Sequence, residues 1–264
     1  MIVHAMEKGA RRFLLGIGGS ATNDGGLGML KALGFSFADK EGHSVGEGAA
    51  ALKDVYAIGK ENAHPLLADC EFLVACDVQN PLCGQNGCSA VFSPQKGARA
   101  ADVPLMDEWL AAYAEKTKAL FPHADPALPG SGAAGGLGFA LRSYLNATLV
   151  SGVSLVLDAT GLAAHIRDAD LVITGEGRLD AQSAMGKAPI GVAKLAKEFC
   201  KPVVAFCGCV GKGATACNAH GIDAYFPILQ TPCSLAEAMD EETAYRNLRA
   251  TAEQAVRLFA IHRF

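Results

Sequence analysis

The 264-residue sequence lacks most of the features that would announce a large partner. Its formal net charge of −4 leaves no basic excess for nucleic acid and no polybasic patch for a membrane surface. No apolar run approaches the ~20 residues of a bilayer span. The N-terminus carries no apolar stretch followed by a small-residue cleavage site. Aromatic residues make up only 7%, with a single tryptophan. The nine cysteines are odd in number and include no C-x2-C pair, and the seven histidines form no cluster that would complete a zinc site. Cys76, Cys83, Cys88, Cys207 and Cys209 therefore read as small buried thiols in a reducing compartment. The expectation is a cytoplasmic protein with no nucleic-acid or membrane partner. Self-association is left open.

What the chain does have is glycine. Thirty Gly and eleven Pro interrupt a sequence that is half apolar, as in a compact enzyme with many tight turns. Apolar strands alternating with helices predict an α/β fold with a mainly parallel sheet. Expected strands cover 13–17, 35–38, 72–78, 171–174, 203–207 and 225–229. Expected helices cover 2–8, a segment reaching Leu33, then 101–121, a segment reaching Leu145, 188–200 and 241–262, while 39–62 reads as irregular. The regular alternation begins after Asp158, which predicts a boundary near 160–170: a glycine-rich-loop domain over 1–165 and a second domain over 166–264. A doubly wound domain usually opens on a strand, yet the first element here is a helix.

Four loops carry the candidate chemistry. The first, Gly16-Ile-Gly-Gly-Ser-Ala-Thr-Asn-Asp-Gly-Gly26, follows a strand and opens a helix, so its free N–H groups favour an anion. Gly18 and Gly19 allow close approach, and Ser20, Thr22 and Asn23 add short donors. Asp24 would repel a bare phosphate and suits a Mg2+ ion or a substrate hydroxyl, with a helix cap as the competing reading. Gly16, Gly18 and Ala21 also match the dinucleotide fingerprint, with Asp39 where a ribose-binding acid would sit. In the second loop, Asp77 ends a strand beside Asn80, as general base, metal ligand or plain turn former. Lys96 follows in Ser93-Pro-Gln-Lys-Gly97 as a phosphate partner or a solvated lysine.

The third loop, Gly130-Ser-Gly-Ala-Ala-Gly-Gly-Leu-Gly138, repeats Gly25-Gly26-Leu27-Gly28 at Gly135-Gly136-Leu137-Gly138. Ligand binding and close helix packing are both open there. The fourth places Glu176, Arg178, Asp180 and Lys187 between a strand and a helix, the mixture of acids and bases that phosphoryl transfer uses for positioning and charge neutralisation. It is no Walker A loop: Ala181 stands where the first glycine belongs, and Ala188 replaces the Ser or Thr.

Taken in order, these loops resemble the glycerate kinase type-1 family. The segments that carry the likeness are Gly16–Gly26, Val74-Ala-Cys-Asp-Val-Gln-Asn-Pro-Leu82, Phe92-Ser-Pro-Gln-Lys-Gly-Ala98, Pro129-Gly-Ser-Gly-Ala-Ala-Gly-Gly136, Thr174-Gly-Glu-Gly-Arg-Leu-Asp180, Gly186-Lys-Ala-Pro-Ile-Gly-Val-Ala193 and Lys201-Pro-Val-Val-Ala205. The resemblance implies two α/β domains, one of them Rossmann- or flavodoxin-like, with ATP, Mg2+ and D-glycerate meeting in a cleft and 2-phosphoglycerate as the usual product. Mapped onto it, Asp77, Asp180 and Lys187 become catalytic candidates. Gly18, Gly19, Ser20, Thr22, Asn23, Asn80, Lys96, Gly135, Gly136, Glu176 and Arg178 become binding candidates, and Asp24 with Asp77 metal candidates. Members of the family begin further upstream, with an Asp-Ser-x-Lys segment and an Asp-Gly-Gly-Glu-Gly-Thr loop that this sequence does not contain. An N-terminally truncated chain missing its first strands is the expectation, and it would explain the opening helix. The rival readings are a nicotinamide-dependent oxidoreductase built on Gly16, Gly18, Ala21 and Asp39, and an inactive remnant of a kinase.

Overall fold

A computed structural model describes residues 1–261, so His262, the expected end of the last helix, lies outside the described residues. The chain divides into two compact units, Met1–Gly152 and Val153–Phe264.

In the first unit, α1 (Ile2–Glu7) buries Met6 and stops where Gly9 takes φ +97°, a backbone state that glycine enters without a steric penalty. β1 (Arg12–Gly16) then runs parallel to β4 (Glu71–Ala75), with Phe13 stacked on Phe72 at 4.9 Å between ring centres. β5 (Thr148–Val150) adds to the other edge of β4, giving a parallel sheet in the order β1-β4-β5. Between β1 and β4 come α2 (Leu27–Ala32) and an antiparallel pair, β2 (Ser36–Ala38) with β3 (Ala57–Gly59). The 39–62 stretch expected to be irregular thus contains a strand, three residues long and held by its partner rather than by its own pattern.

α3 (Cys88–Phe92), α4 (Val103–Leu120) and α5 (Ala133–Leu145) complete the unit. The expected apolar face of α4 is present: Leu110 and Tyr113 are fully buried and Trp109 packs beside them. Tyr113 stacks on Tyr144 at 6.4 Å, Phe35 meets Tyr144 edge-on at 5.0 Å, and the Tyr144 and Thr117 hydroxyls lie 2.9 Å apart. Aromatic side chains are few in this sequence, and this core concentrates them behind the glycine loops. Such pairs stabilise by about 0.5–1.5 kcal/mol each beyond the area they bury.

The second unit opens with α6 (Gly152–Ala159), which begins on the last residue of the first unit, and α7 (Leu162–Asp168). The change of unit therefore falls in the first turn of α6, whereas the sequence expectation places the domain change at 165/166. Three parallel strands follow in spatial order: β6 (Val172–Leu179), β7 (Val203–Val210) and β8 (Ala224–Pro227). β6 extends well past the expected Thr174 because β7 pairs with it as far as Leu179↔Val210. α8 (Ala188–Glu198) lays Ile190, Ala193 and Ala196 on Val203, Ala205 and Cys207 to form the unit's core. α9 (Ala216–Ala219), α10 (Leu235–Ala238, with a Ser234/Glu237 capping box) and the long α11 (Glu241–Ile261) finish the chain. The mixed α/β class and the parallel sheets agree with the sequence expectation.

Candidate active site

In the first unit, the ends of β1 and β4 open onto a cavity of about 530 Å³. Open α/β sheets place ligands in the crevice outside the carboxyl ends of their strands. One wall is the backbone of Gly16 to Ser20, another is Ala75 to Val78 with Asp77, and Phe92, Gln95, Lys96, Ala133 and Ala134 close it. The structure thus brings Gly18, Gly19, Ser20, Asp77 and Lys96 to one cavity from sequence positions far apart.

Lys96 reaches the glycine loop from a short turn after α3. Its Nζ donates to Ser20 Oγ at 2.9 Å and to the Thr22 carbonyl at 2.7 Å. Partial burial pushes its pKa below the usual 10.5, although the Cys88 thiol and Asp24 nearby act in the opposite direction. Asp77 is solvent-exposed. Its Oδ1 accepts from the Gly152 N–H at 2.9 Å and from Ser151 Oγ at 3.2 Å, while its Oδ2 accepts no hydrogen bond from the described residues. Cys76, also on the wall, has its thiol pKa raised by burial, so it remains neutral there.

Of the remaining first-unit candidates, Asn23, Asp24, Gly135 and Gly136 are buried, Asn80 is half-buried and Thr22 is exposed. Asp24 is buried, and its carboxylate accepts from Gly26 N at 3.1 Å and Gly28 N at 3.5 Å. These bonds place it at the start of α2, as the helix-cap reading expects. No group of three or more His, Cys, Asp or Glu among the described residues is arranged for a metal ion. Asn23 is buried with Nδ2 on Ser89 Oγ at 2.9 Å and Oδ1 unpartnered. Asn80 donates to the Asn86 carbonyl at 2.8 Å and holds Gly132 N on its own carbonyl at 2.9 Å.

Gly135 and Gly136 answer the question their repeat raised. Both are buried, and Gly25 N donates to Gly135 O at 2.9 Å. A Cβ on Gly135 would run into the Thr22 carbonyl, and one on Gly136 would lie 2.8 Å from Gly25 Cα. Both glycines pack one glycine loop on the other, as the close-packing reading expects. Tyr113 steadies the assembly by donating its hydroxyl to Gly25 O at 3.3 Å. Ala134, on the cavity wall, is held at φ +53°, a left-handed state that costs a non-glycine residue roughly 1–2 kcal/mol.

The fingerprint for a dinucleotide does not assemble. Ala21 is exposed, α2 starts only at Leu27, and Asp39 Oδ1 accepts from Glu41 N and His43 N in its own turn.

In the second unit, Glu176 and Arg178 lie on β6 itself, so half of the expected fourth loop is strand. Glu176 Oε1 is buried without a partner. Asp180 accepts from Gln182 N at 2.9 Å and pairs with Arg178 at 3.3 Å. Lys187 is exposed at the N-cap of α8. Beside them, Glu176 also borders a largely apolar cavity of about 550 Å³ with Phe206, Leu235 and Met239.

The sequence profile of the glycerate kinase family matches residues 1–260. The chain belongs to the glycerate kinase family. It is 45% identical over 262 residues to glycerate 2-kinase of Escherichia coli (strain K12), covering 99% of this chain and 68% of that protein. A glycerate kinase of Halalkalibacterium halodurans is 44% identical over 253 residues, covering 94% of this chain and 67% of the relative. The fold agrees as well. A crystal structure of a provisionally named glycerate kinase 2 from Salmonella typhimurium LT2 superposes with a TM-score of 0.84 at 42% identity, over 100% of this chain and 68% of that one. Within this phosphotransferase family, sequence reasoning missed the side chains that surround the named candidates: Gln95 and Phe92 on the wall, and Ser151 with Gly152 on Asp77. The only local signal for the last pair was a Ser-Gly step between an apolar triplet and a helix.

Proposed function

We propose that this glycerate kinase family member phosphorylates D-glycerate with ATP and releases 2-phosphoglycerate. The observation that carries the reading is the pairing, in one cavity, of the Lys96 ammonium beside a glycine-lined backbone with the Asp77 carboxylate, one of whose oxygens is unengaged. Glycerate needs both: a cation and N–H groups for its anionic parts, and an acceptor for a hydroxyl proton.

In the proposed reaction the substrate hydroxyl gives its proton to Asp77 Oδ2. The resulting oxygen attacks the terminal phosphorus in line, the bond to the bridging oxygen breaks, and ADP leaves. Lys96 and Ser20 Oγ offset the charge on the phosphoryl oxygens, the positioning and neutralisation that dominate such transfers. A magnesium ion, when bound, would neutralise phosphate charge; the unpartnered Glu176 Oε1 fits its preference for carboxylate oxygen and would hold it.

The E. coli relative's name favours the 2-phosphate, as does its 45% identity. A coupled assay with ATP, Mg2+, D-glycerate and enolase, without a mutase, tests the reading. Product formation supports the 2-kinase; signal only after mutase addition points to the 3-phosphate. Absence of turnover in both removes the proposal for this chain and favours the inactive remnant.

A further inference from the structure

Asp77 is gripped in an unsymmetrical way. Both of its hydrogen bonds fall on Oδ1, and both come from Ser151 and Gly152, where β5 ends and α6 begins. Glycine at 152 is not demanded by the backbone, since its φ lies outside the left-handed region. Nor is it demanded by the helix, because alanine is the better residue in an α-helix. What an added Cβ would meet is Asp77 Oδ2 at 2.9 Å, with Ala75 Cβ next at 3.6 Å. The methyl group is excluded by the very oxygen that the protein leaves unengaged.

We infer that Ser151 and Gly152 are positioning residues: they fix Asp77 through Oδ1 and keep the space around Oδ2 clear for the substrate hydroxyl. This rests on the role proposed for Asp77 in turnover. A carboxylate is the end of a rotatable side chain, so a methyl at 152 displaces it without disrupting the sheet behind. Near-attack geometry is sensitive to such displacements, and a shift of about 1 Å costs on the order of a hundredfold in rate. Ser151 adds the second anchor. Without its hydroxyl, Oδ1 keeps only the backbone donor, and the carboxylate can swing about it. A helix-capping role for Asp77 alone gives no reason for glycine at 152; the cleared oxygen does.

The test is a set of variants of the whole chain, Gly152→Ala, Ser151→Ala, Ser151→Thr and Gly152→Ala combined with Asp77→Ala, read by kcat, by KM for each substrate and by melting temperature. Gly152→Ala is expected to lower kcat by roughly tenfold to a hundredfold with the melting temperature unchanged or raised and KM for ATP unchanged. Ser151→Ala should lose several-fold, with Ser151→Thr recovering most of it. Adding Gly152→Ala to Asp77→Ala should cost nothing further, because the group it displaces is gone. Full kcat in Gly152→Ala, an activity loss that merely tracks a lost folded fraction, or an equal further loss on the Asp77→Ala background would each overturn the inference. Failure of the unaltered chain to turn over D-glycerate would instead remove the proposed function, and this inference with it.

Discussion

The first unit builds its cavity from residues that are strangers in sequence, whereas the second unit builds its acidic turn from neighbours. Lys96 meets Ser20 across 76 positions, and Asp77 meets Gly152 across 75. Asp180 finds Gln182 two positions on, and Ser183 Oγ closes the same turn on Asp180 N at 3.1 Å. A site of the first kind exists only when the sheet, the aromatic core and both glycine loops are in register. A site of the second kind needs little beyond its own loop. The first unit's cavity should therefore be easy to disrupt from a distance, and the second unit's turn only by direct replacement.

The largest effect that would sharpen this contrast is expected at Asp77. Asp77→Asn keeps an acceptor for Gly152 N–H but removes the basic oxygen, so kcat should fall by roughly 10²–10⁴-fold while the melting temperature holds. Near-normal kcat would take Asp77 out of the chemistry. Next in size is Gly135→Ala, well away from any reacting atom. It combines a left-handed residue with a clash on the Thr22 carbonyl and should destabilise the first unit by about 3 kcal/mol in denaturant melts. An unchanged midpoint would show that the two glycine loops are not bound to each other's geometry.

Lys96→Met should weaken binding of inorganic phosphate by about tenfold or more, measured by calorimetry. Its pH dependence can be assigned a sign. Burial lowers the folded pKa of Lys96 below 10.5, so in the alkaline window between that lowered value and 10.5 the unfolded chain holds more protons than the folded one. Through this group stability rises with pH across the window, while phosphate affinity falls as the ammonium is lost. Lys96→Arg should carry the affinity to higher pH, because a guanidinium stays charged. The smallest effect is expected at Asp180. Asp180→Asn retains the turn acceptor and loses only a half-exposed pair with Arg178, so stability should change by less than about 1 kcal/mol. A loss as large as that at Gly135 would break the comparison.

The same contrast governs how much could be read in the sequence. β1, α4 and β7 were legible because each carries its own period or apolar run, and the glycine loops because glycine clusters need a backbone reason. β3 was not, since three residues in a glycine-rich stretch become a strand only through their partner β2. β6 was under-read for a related reason: Gly175 and Gly177 look like loop, yet the β7 ladder carries them on to Leu179. Asp24 kept several readings in the sequence, cap, metal and substrate hydroxyl among them, because no local pattern shows where its oxygens turn; they turn to Gly26 and Gly28. The anchors on Asp77 stayed hidden because no local pattern links position 77 to 152.

The bond from Gly25 to Gly135 has a consequence for how this protein can vary. A side chain at Gly135 would meet the Thr22 carbonyl and one at Gly136 the Gly25 Cα, both backbone, so a substitution at either cannot be absorbed by trimming a neighbour. Any natural drift at this seam therefore has to spare Gly135 and Gly136 for as long as the Thr22 to Gly25 backbone lies against them.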